Sequence, residues 1–185
     1  MKIAYQGISG SYSESCAKAK YPECETISCK TFDECFQLAN KDIDIKTIIP
    51  ESNKTTGNIG VEYLIFKYRL NIYAEYFYPI RHNLLRVKGA KIKEIKNVYS
   101  HAQALSQSSV FINNNNFIEN VRADTAGSAK YVSESKDKSK AALASILSAK
   151  IYNLDIIESN FQDTNYNITR FLIMSNDANE INLKE

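Results

Sequence analysis

One junction recurs along this chain and constrains its fold more than any other feature. A short apolar run meets a small polar turn, and the turn opens directly into a helix start. The junction occurs at residues 7–13, 100–103 and 124–128. Such succession is characteristic of βαβ units, whose strands are buried by helices on both faces. The N-terminal third repeats it without a break. Residues 2–6 form a strand signal that stops at Gly7. A glycine- and serine-rich turn leads into a helix over 13–20, with Ser11 and Glu14 at capping-box spacing. Residues 26–28 form a second strand. Thr31 caps the next helix with Glu34 three residues on, and Phe32, Cys35, Phe36 and Leu38 supply its apolar stripe. The apolar run 43–49 is a third strand, ended by Pro50. This alternation predicts an α/β fold with a mostly parallel sheet.

The remainder carries the same alphabet at lower contrast. Residues 57–68 read as a helix, 70–79 as a Tyr-, Ile- and Phe-rich strand, and 82–87 as extended chain. A strand at 98–100 precedes a helix over 102–112, which the asparagines at 113–116 end as a surface turn. Residues 120–123 lead to a strand end, 125–133 to a helix, and 133–140 to a charged loop. The Ala- and Leu-rich stretch 141–152 has a buried character, and 169–174 is the final strand. No internal repeat or linker interrupts the pattern.

Bulk properties narrow the function classes. A chain of 185 residues fills one ordinary domain or two small lobes, and needs no metal or disulfide staple. A net charge of +2 is not the footprint of a nucleic-acid binder. No apolar stretch approaches the ~20 residues that span a bilayer, and no secretory leader precedes the first strand, so a cytoplasmic location is expected. Cys16, Cys24, Cys29 and Cys35 lack the spacing of a zinc or redox motif, and His82 and His101 are remote from them. No metal and no disulfide are expected. The repeated turn-to-helix junction exposes free backbone N–H groups, which favour a small anion at the carboxyl ends of the strands.

Six segments in order resemble the prephenate dehydratase family along nearly the whole chain. The first is Ile3-Ala4-Tyr5-Gln6-Gly7 with Gly10-Ser11-Tyr12-Ser13-Glu14, similar to the family's G-x-x-G-T-[FY]-S-E opening. Next come Pro79-Ile80-Arg81-His82-Asn83-Leu84-Leu85 and Tyr99-Ser100-His101-Ala102-Gln103-Ala104-Leu105. Asp124-Thr125-Ala126-Gly127-Ser128-Ala129 and Ala141-Ala142-Leu143-Ala144-Ser145 follow. Gln162-Asp163 and Asn167-Ile168-Thr169-Arg170-Phe171 close the series. Three departures stand out. The family's P-[IV]-E-N-S-x-x-G keeps its Pro50-to-Gly57 spacing, but its glutamate falls on Ser52 and its serine on Lys54, while Asn53 matches. Ala102 replaces a proline, and Asp124 a small residue.

The resemblance implies two α/β lobes around a cleft, similar to type II periplasmic binding proteins. Lobe 1 is expected over about 1–79 plus 168–185 and lobe 2 over about 80–167. The family's C-terminal ACT domain, which binds phenylalanine, is not expected within this chain. The implied reaction is the decarboxylative dehydration of prephenate to phenylpyruvate, a lyase step that needs no cofactor. By its match, Thr169 is the residue for the departing hydroxyl. Arg170 is the expected carboxylate holder, since a guanidinium binds carboxylates bidentately. Asn53, Ser11, Thr125, Gln103, Lys54 and Phe171 complete the candidate substrate-binding set, and no metal ligands are expected. The expected partner is a small dicarboxylate, with no nucleic acid and no membrane; homodimerisation is left open. Two other readings stay open: an altered family member that binds a small anion without catalysis, and a dehydratase of arogenate.

Overall fold

The computed structural model describes residues 1–177. Within them the chain divides into two compact units. The first holds residues 1–8, 12–79 and the segment from Tyr166 on; the second holds 9–11 and 80–165. The first unit begins with β1 (Lys2–Gln6), α1 (Tyr12–Lys20), β2 (Glu25–Cys29), α2 (Phe32–Lys41) and β3 (Ile45–Asn53). It continues with β4 (Gly57–Asn58), α3 (Glu62–Tyr68) and β5 (Asn71–Pro79). The second unit supplies β6 (Asn83–Arg86), β7 (Asn97–Ser100), α4 (Ala102–Ser106), α5 (Ser109–Asn114) and β8 (Ile118–Val121). Then come α6 (Thr125–Ser135), β9 (Lys140–Ala144), α7 (Ile146–Ile151) and β10 (Asp155–Ser159). The last strand, β11 (Ile168–Ser175), belongs to the first unit.

In the first unit the strand order is β2-β1-β3-β11-β5, with β4 paired to β3. The βαβ alternation read from the sequence is present: β2, β1 and β3 are parallel. The sheet as a whole is not mostly parallel, because β11 runs antiparallel to both β3 and β5. A strand that re-enters after an excursion through another unit is not bound to the crossover geometry of a βαβ step. Both faces are covered. Ile3, Tyr5, Ile48, Phe171 and Ile173 pack with Cys16 and Ala17 of α1. Ala4, Ile49, Leu172 and Met174 pack with Cys35 and Phe36 of α2 and Leu64 of α3. Neighbours along β1 and β11 thus alternate between two cores, which is why these strands read as unbroken apolar runs. The predicted cap of α2 is in place: Thr31 Oγ1 accepts from Glu34 N–H at 3.1 Å, and the Glu34 carboxylate accepts from Lys30 N–H at 2.7 Å. Gly60, at φ 81°, separates β4 from α3, so 57–68 is a short strand and a helix instead of one helix.

In the second unit the order is β10-β6-β9-β7-β8. Here β8, β7 and β9 are parallel, while β6 and β10 are antiparallel additions. Leu84, Val98, Ala141 and Leu143 pack with Leu105 and Ile112 on one face; Leu85, Ala142 and Ala144 pack with Ala129, Val132 and Ala149 on the other. The turn 9–11 belongs to this unit. The Gly10 carbonyl accepts from Ser145 Oγ at 2.6 Å and from Ser148 Oγ at 2.8 Å. A Cβ at Gly10 would stand 2.5 Å from Ser148 Oγ, and the backbone there has φ 93°, so only glycine fits.

His82, from the family-like run after β5, is a core residue at 2% exposure. Its N–H donates to Gln162 Oε1 at 3.2 Å, and its Nε2 lies 3.1 Å from Gln107 Oε1. Burial lowers its pKa from the usual 6.5. The folded state therefore holds a neutral ring where the unfolded chain takes up a proton. Stability contributed by the neutral form is present above the unfolded pKa and declines as pH falls below about 6.5. The urea midpoint should be lower at about pH 5 than at about pH 7.5, and His82→Gln should shrink that difference. An undiminished difference in the variant assigns the pH dependence to other groups.

Candidate active site

Thr169 of β11 lies directly opposite Asn53 of β3. Pro50 faces Phe171 and Ser52 faces Arg170, so Glu51 is an extra residue in β3, a bulge of the kind that re-aims the side chains beyond it. The strand then closes on itself: Lys54 N–H donates to Ile168 O at 2.9 Å, and Thr56 N–H to Asn53 O at 3.3 Å.

Within this corner Asn53 is the hub. Its Nδ2 donates to Thr169 Oγ1 and to Asn167 Oδ1, each at 2.8 Å. Its Oδ1 accepts from Thr55 N–H at 2.9 Å and from Thr55 Oγ1 at 2.6 Å. A backbone N–H can only donate, so the atom facing it must be the carboxamide oxygen, and the nitrogen must face Thr169. Asn53, Asn167 and Thr169 are buried at 7%, 3% and 6% exposure. Thr169 Oγ1 accepts from Asn53, and its own hydrogen finds no acceptor among the described residues. The corner therefore presents one neutral hydrogen-bond donor on a rigid strand. Tyr78 of β5 pairs with Thr169 from the other side and stacks edge-on against Phe171 at 6.4 Å. Burial raises the Tyr78 phenol pKa, keeping it protonated.

The structure brings Thr169 and Asn53 together as a bonded pair. It treats two of their neighbours differently from the sequence expectation. Arg170 is not an unoccupied carboxylate holder: its Nε and Nη2 each bind Glu75 Oε2 at 2.8 Å, and its Nη1 lies 3.4 Å from Glu51 Oε2. Ser52 Oγ donates to the same Glu51 carboxylate at 2.6 Å. Alternation along β11 separates this ion cluster from the Thr169 side chain. Phe171 is not a surface for substrate either; it is 2% exposed and sits in the core against α1. Lys54 is exposed, and its ammonium has no partner among the described residues.

Ser11, Gln103 and Thr125 all lie in the second unit. Ser11 immediately precedes α1, Gln103 is in the first turn of α4, and Thr125 opens α6; all are half-buried. The N-terminus of α6 is not a vacant anion site, because Asp124 caps it with its own carboxylate, Oδ1 accepting from Gly127 N–H at 2.6 Å. His101 likewise caps α4 through Nδ1 at 3.3 Å from Gln103 N–H. Two residues of the Asn53 corner escaped the sequence reading. Asn167 stood inside a family-like segment, whereas Thr55 carried no signal, since its role needs the turn after β3. Among the described residues no group of acidic, His or Cys side chains is arranged to hold a metal ion. The four cysteines are buried apolar side chains.

Residues 3–179 match the family described as Prephenate dehydratase. Arogenate dehydratase/prephenate dehydratase 1, chloroplastic, of Arabidopsis thaliana is 40% identical over 176 residues, which cover 95% of this chain and 45% of that protein. The solved structure of GqqA, described as a novel type of quorum quenching acylase, superposes with a TM-score of 0.90 at 29% identity, over 96% of this chain and 64% of that one. Prephenate dehydratase from Arthrobacter aurescens, solved with L-Phe, gives a TM-score of 0.85 at 20% identity, over 95% of this chain and 60% of that one, a likeness of fold. The chain thus spans about half the length of the curated relatives it matches.

Proposed function

Because the chain belongs to the prephenate dehydratase family, we propose that it converts prephenate to phenylpyruvate, carbon dioxide and water, a step of phenylalanine biosynthesis. The observation that carries this reading is the Thr169 hydroxyl, which accepts from Asn53 and keeps its hydrogen for another acceptor. In the reaction the C–O bond to the ring hydroxyl breaks while the ring carboxylate leaves as carbon dioxide. The electron pair of the lost C–C bond enters the ring, which becomes aromatic. Negative charge grows on the departing oxygen, and a pre-positioned donor stabilises it. Thr169 is a weak acid, and its neighbour Asn53 is a carboxamide that relays no proton. The step is therefore hydrogen-bond donation to the leaving hydroxide, with solvent supplying the proton that makes water.

The same geometry argues against Thr169 as the nucleophile of an acylase activity such as that named for GqqA. A hydroxyl nucleophile needs an adjacent base. Thr169 Oγ1 is met instead by the Asn53 amide, itself a donor.

Arg170 is read as a brace across β3, β11 and β5. With Glu51 and Glu75 it forms a cluster of net charge −1, which disfavours a further carboxylate. Lys54 is the cation assigned to a substrate carboxylate. Lys54→Ala should raise KM roughly two- to fivefold with kcat nearly unchanged, as befits an exposed ion pair made equally in ground and transition states. A lower kcat with unchanged KM contradicts that assignment. Ser11, Gln103 and Thr125 carry no assigned step.

The two units are read as two lobes of one catalytic domain, acting in the cytoplasm. Among the described residues no helix is long and apolar enough to cross a membrane. Arogenate is the competing substrate, as the name of the Arabidopsis relative suggests. The test supplies each substrate separately to the purified chain, following phenylpyruvate by absorbance from one and phenylalanine by chromatography from the other. Faster formation of phenylalanine reassigns the substrate. Formation of neither removes the reading.

A further inference from the structure

We propose that Thr55 is a positioning residue for this reaction, acting through Asn53 to hold the Thr169 hydroxyl as a donor; the inference rests on the dehydratase reading above. A carboxamide has two nearly isosteric ends, and a half-turn about its last bond would exchange them. In that exchanged state Asn53 Oδ1 would face Thr169 Oγ1. The hydroxyl would then donate to Asn53 and have no hydrogen left for a departing oxygen. What holds the working orientation is the pair of donors on the other side. Thr55 N–H and Thr55 Oγ1 both converge on Asn53 Oδ1, at 2.9 and 2.6 Å. Asn167 Oδ1 supports the same orientation by accepting from Nδ2 at 2.8 Å.

The hydrogen-bond direction propagates along a chain: Thr55 donates to Asn53, Asn53 donates to Thr169, and Thr169 is left to donate outward. Each link leaves its neighbour one role. The lock is local, because Thr55 follows Asn53 by two residues in the turn that leaves β3. It is also independent of the Arg170 cluster, which shares no bond with Asn53.

The test compares the parent chain with Thr55→Val, which keeps the shape and the backbone donor, and Thr55→Ser, which restores the hydroxyl. Steady-state kinetics on prephenate are read beside the Asn53 side-chain amide signals in a nitrogen–proton correlation spectrum. Thr55→Val should lower kcat about tenfold, equivalent to about 1.4 kcal/mol, with KM within about twofold. The Asn53 amide protons should shift and exchange faster with solvent. Thr55→Ser should restore both readouts. A Thr55→Val enzyme with parental kcat overturns the proposal, and so does a loss of kcat with unchanged Asn53 signals. If the parent turns over neither prephenate nor arogenate, the dehydratase reading fails first and the positioning role falls with it. The amide spectrum then reports only whether the lock exists.

Discussion

Thr169→Ala should lower turnover of prephenate by about 10² to 10³ while leaving KM close to the parent value. The hydroxyl it removes is a single donor, held by Asn53 at 2.8 Å and buried at 6% exposure. Such a bond strengthens as charge builds on the departing oxygen, so its loss appears in kcat and not in ground-state affinity. The expected loss corresponds to about 3–4 kcal/mol of transition-state stabilisation. Folding should survive, since the deleted group is small and Asn53 keeps its bonds to Asn167 and Thr55. Circular dichroism and the urea midpoint check that point. A folded Thr169→Ala enzyme within about threefold of the parent makes the hydroxyl merely structural.

Two residues further on, the same strand yields the opposite kind of effect. Phe171→Ala should cost about 3–5 kcal/mol of stability, the range for deleting a buried phenyl ring. Phe171 is 2% exposed, packs among Ile3, Tyr5, Cys16, Ala17 and Ile48, and meets Tyr78 edge-on. These neighbours lie on sheet strands and α1, whose backbones cannot collapse far into the vacated space. The denaturant midpoint should fall with the slope unchanged. A loss below about 1 kcal/mol would place Phe171 outside the core and reopen it as a substrate contact.

The contrast between these residues shows what was legible in the sequence. Local signals carried well: Thr31 with Glu34, the strand 2–6 and the final strand all lie within a residue or so of their expected places. What failed depended on distant partners. Residues 102–112 read as one helix, yet α4 ends and α5 starts anew because Asp163, far along the chain, binds Ser109 Oγ and Val110 N–H. The stretch 141–152 shows a buried character in the sequence and no element type; it divides into β9 and α7, with Ser145 capping the helix through Ser148 N–H and the alanines lying in a central strand between β6 and β7. Alanine prefers helices, so burial by neighbours overrode propensity there. β10 escaped notice altogether, its hydrophobic pattern being half exposed.

The candidate site divides the same way. Thr169 and Asn53 were legible through the resemblance, and the structure joins them. The ion pairs of Arg170 were not legible, because nothing in Thr169-Arg170-Phe171 reveals that Glu75 and Glu51 lie across the neighbouring strands. The bulge at Glu51 matters here. It brings a carboxylate to Arg170 although the residue directly opposite is Ser52. Thr55 became visible only once the turn after β3 had placed its donors on Asn53.

The Thr169 hydroxyl is proposed to assist departure of a hydroxyl from prephenate. The most direct test of that role is the rate of phenylpyruvate formation by the purified parent chain, measured alongside Thr169→Val, which keeps the shape and removes only the donor. Saturable, enzyme-dependent formation is expected from the parent, with a rate at least about 100-fold lower in the folded valine variant. Equal rates in the two proteins, or no enzyme-dependent phenylpyruvate from the parent, would contradict it.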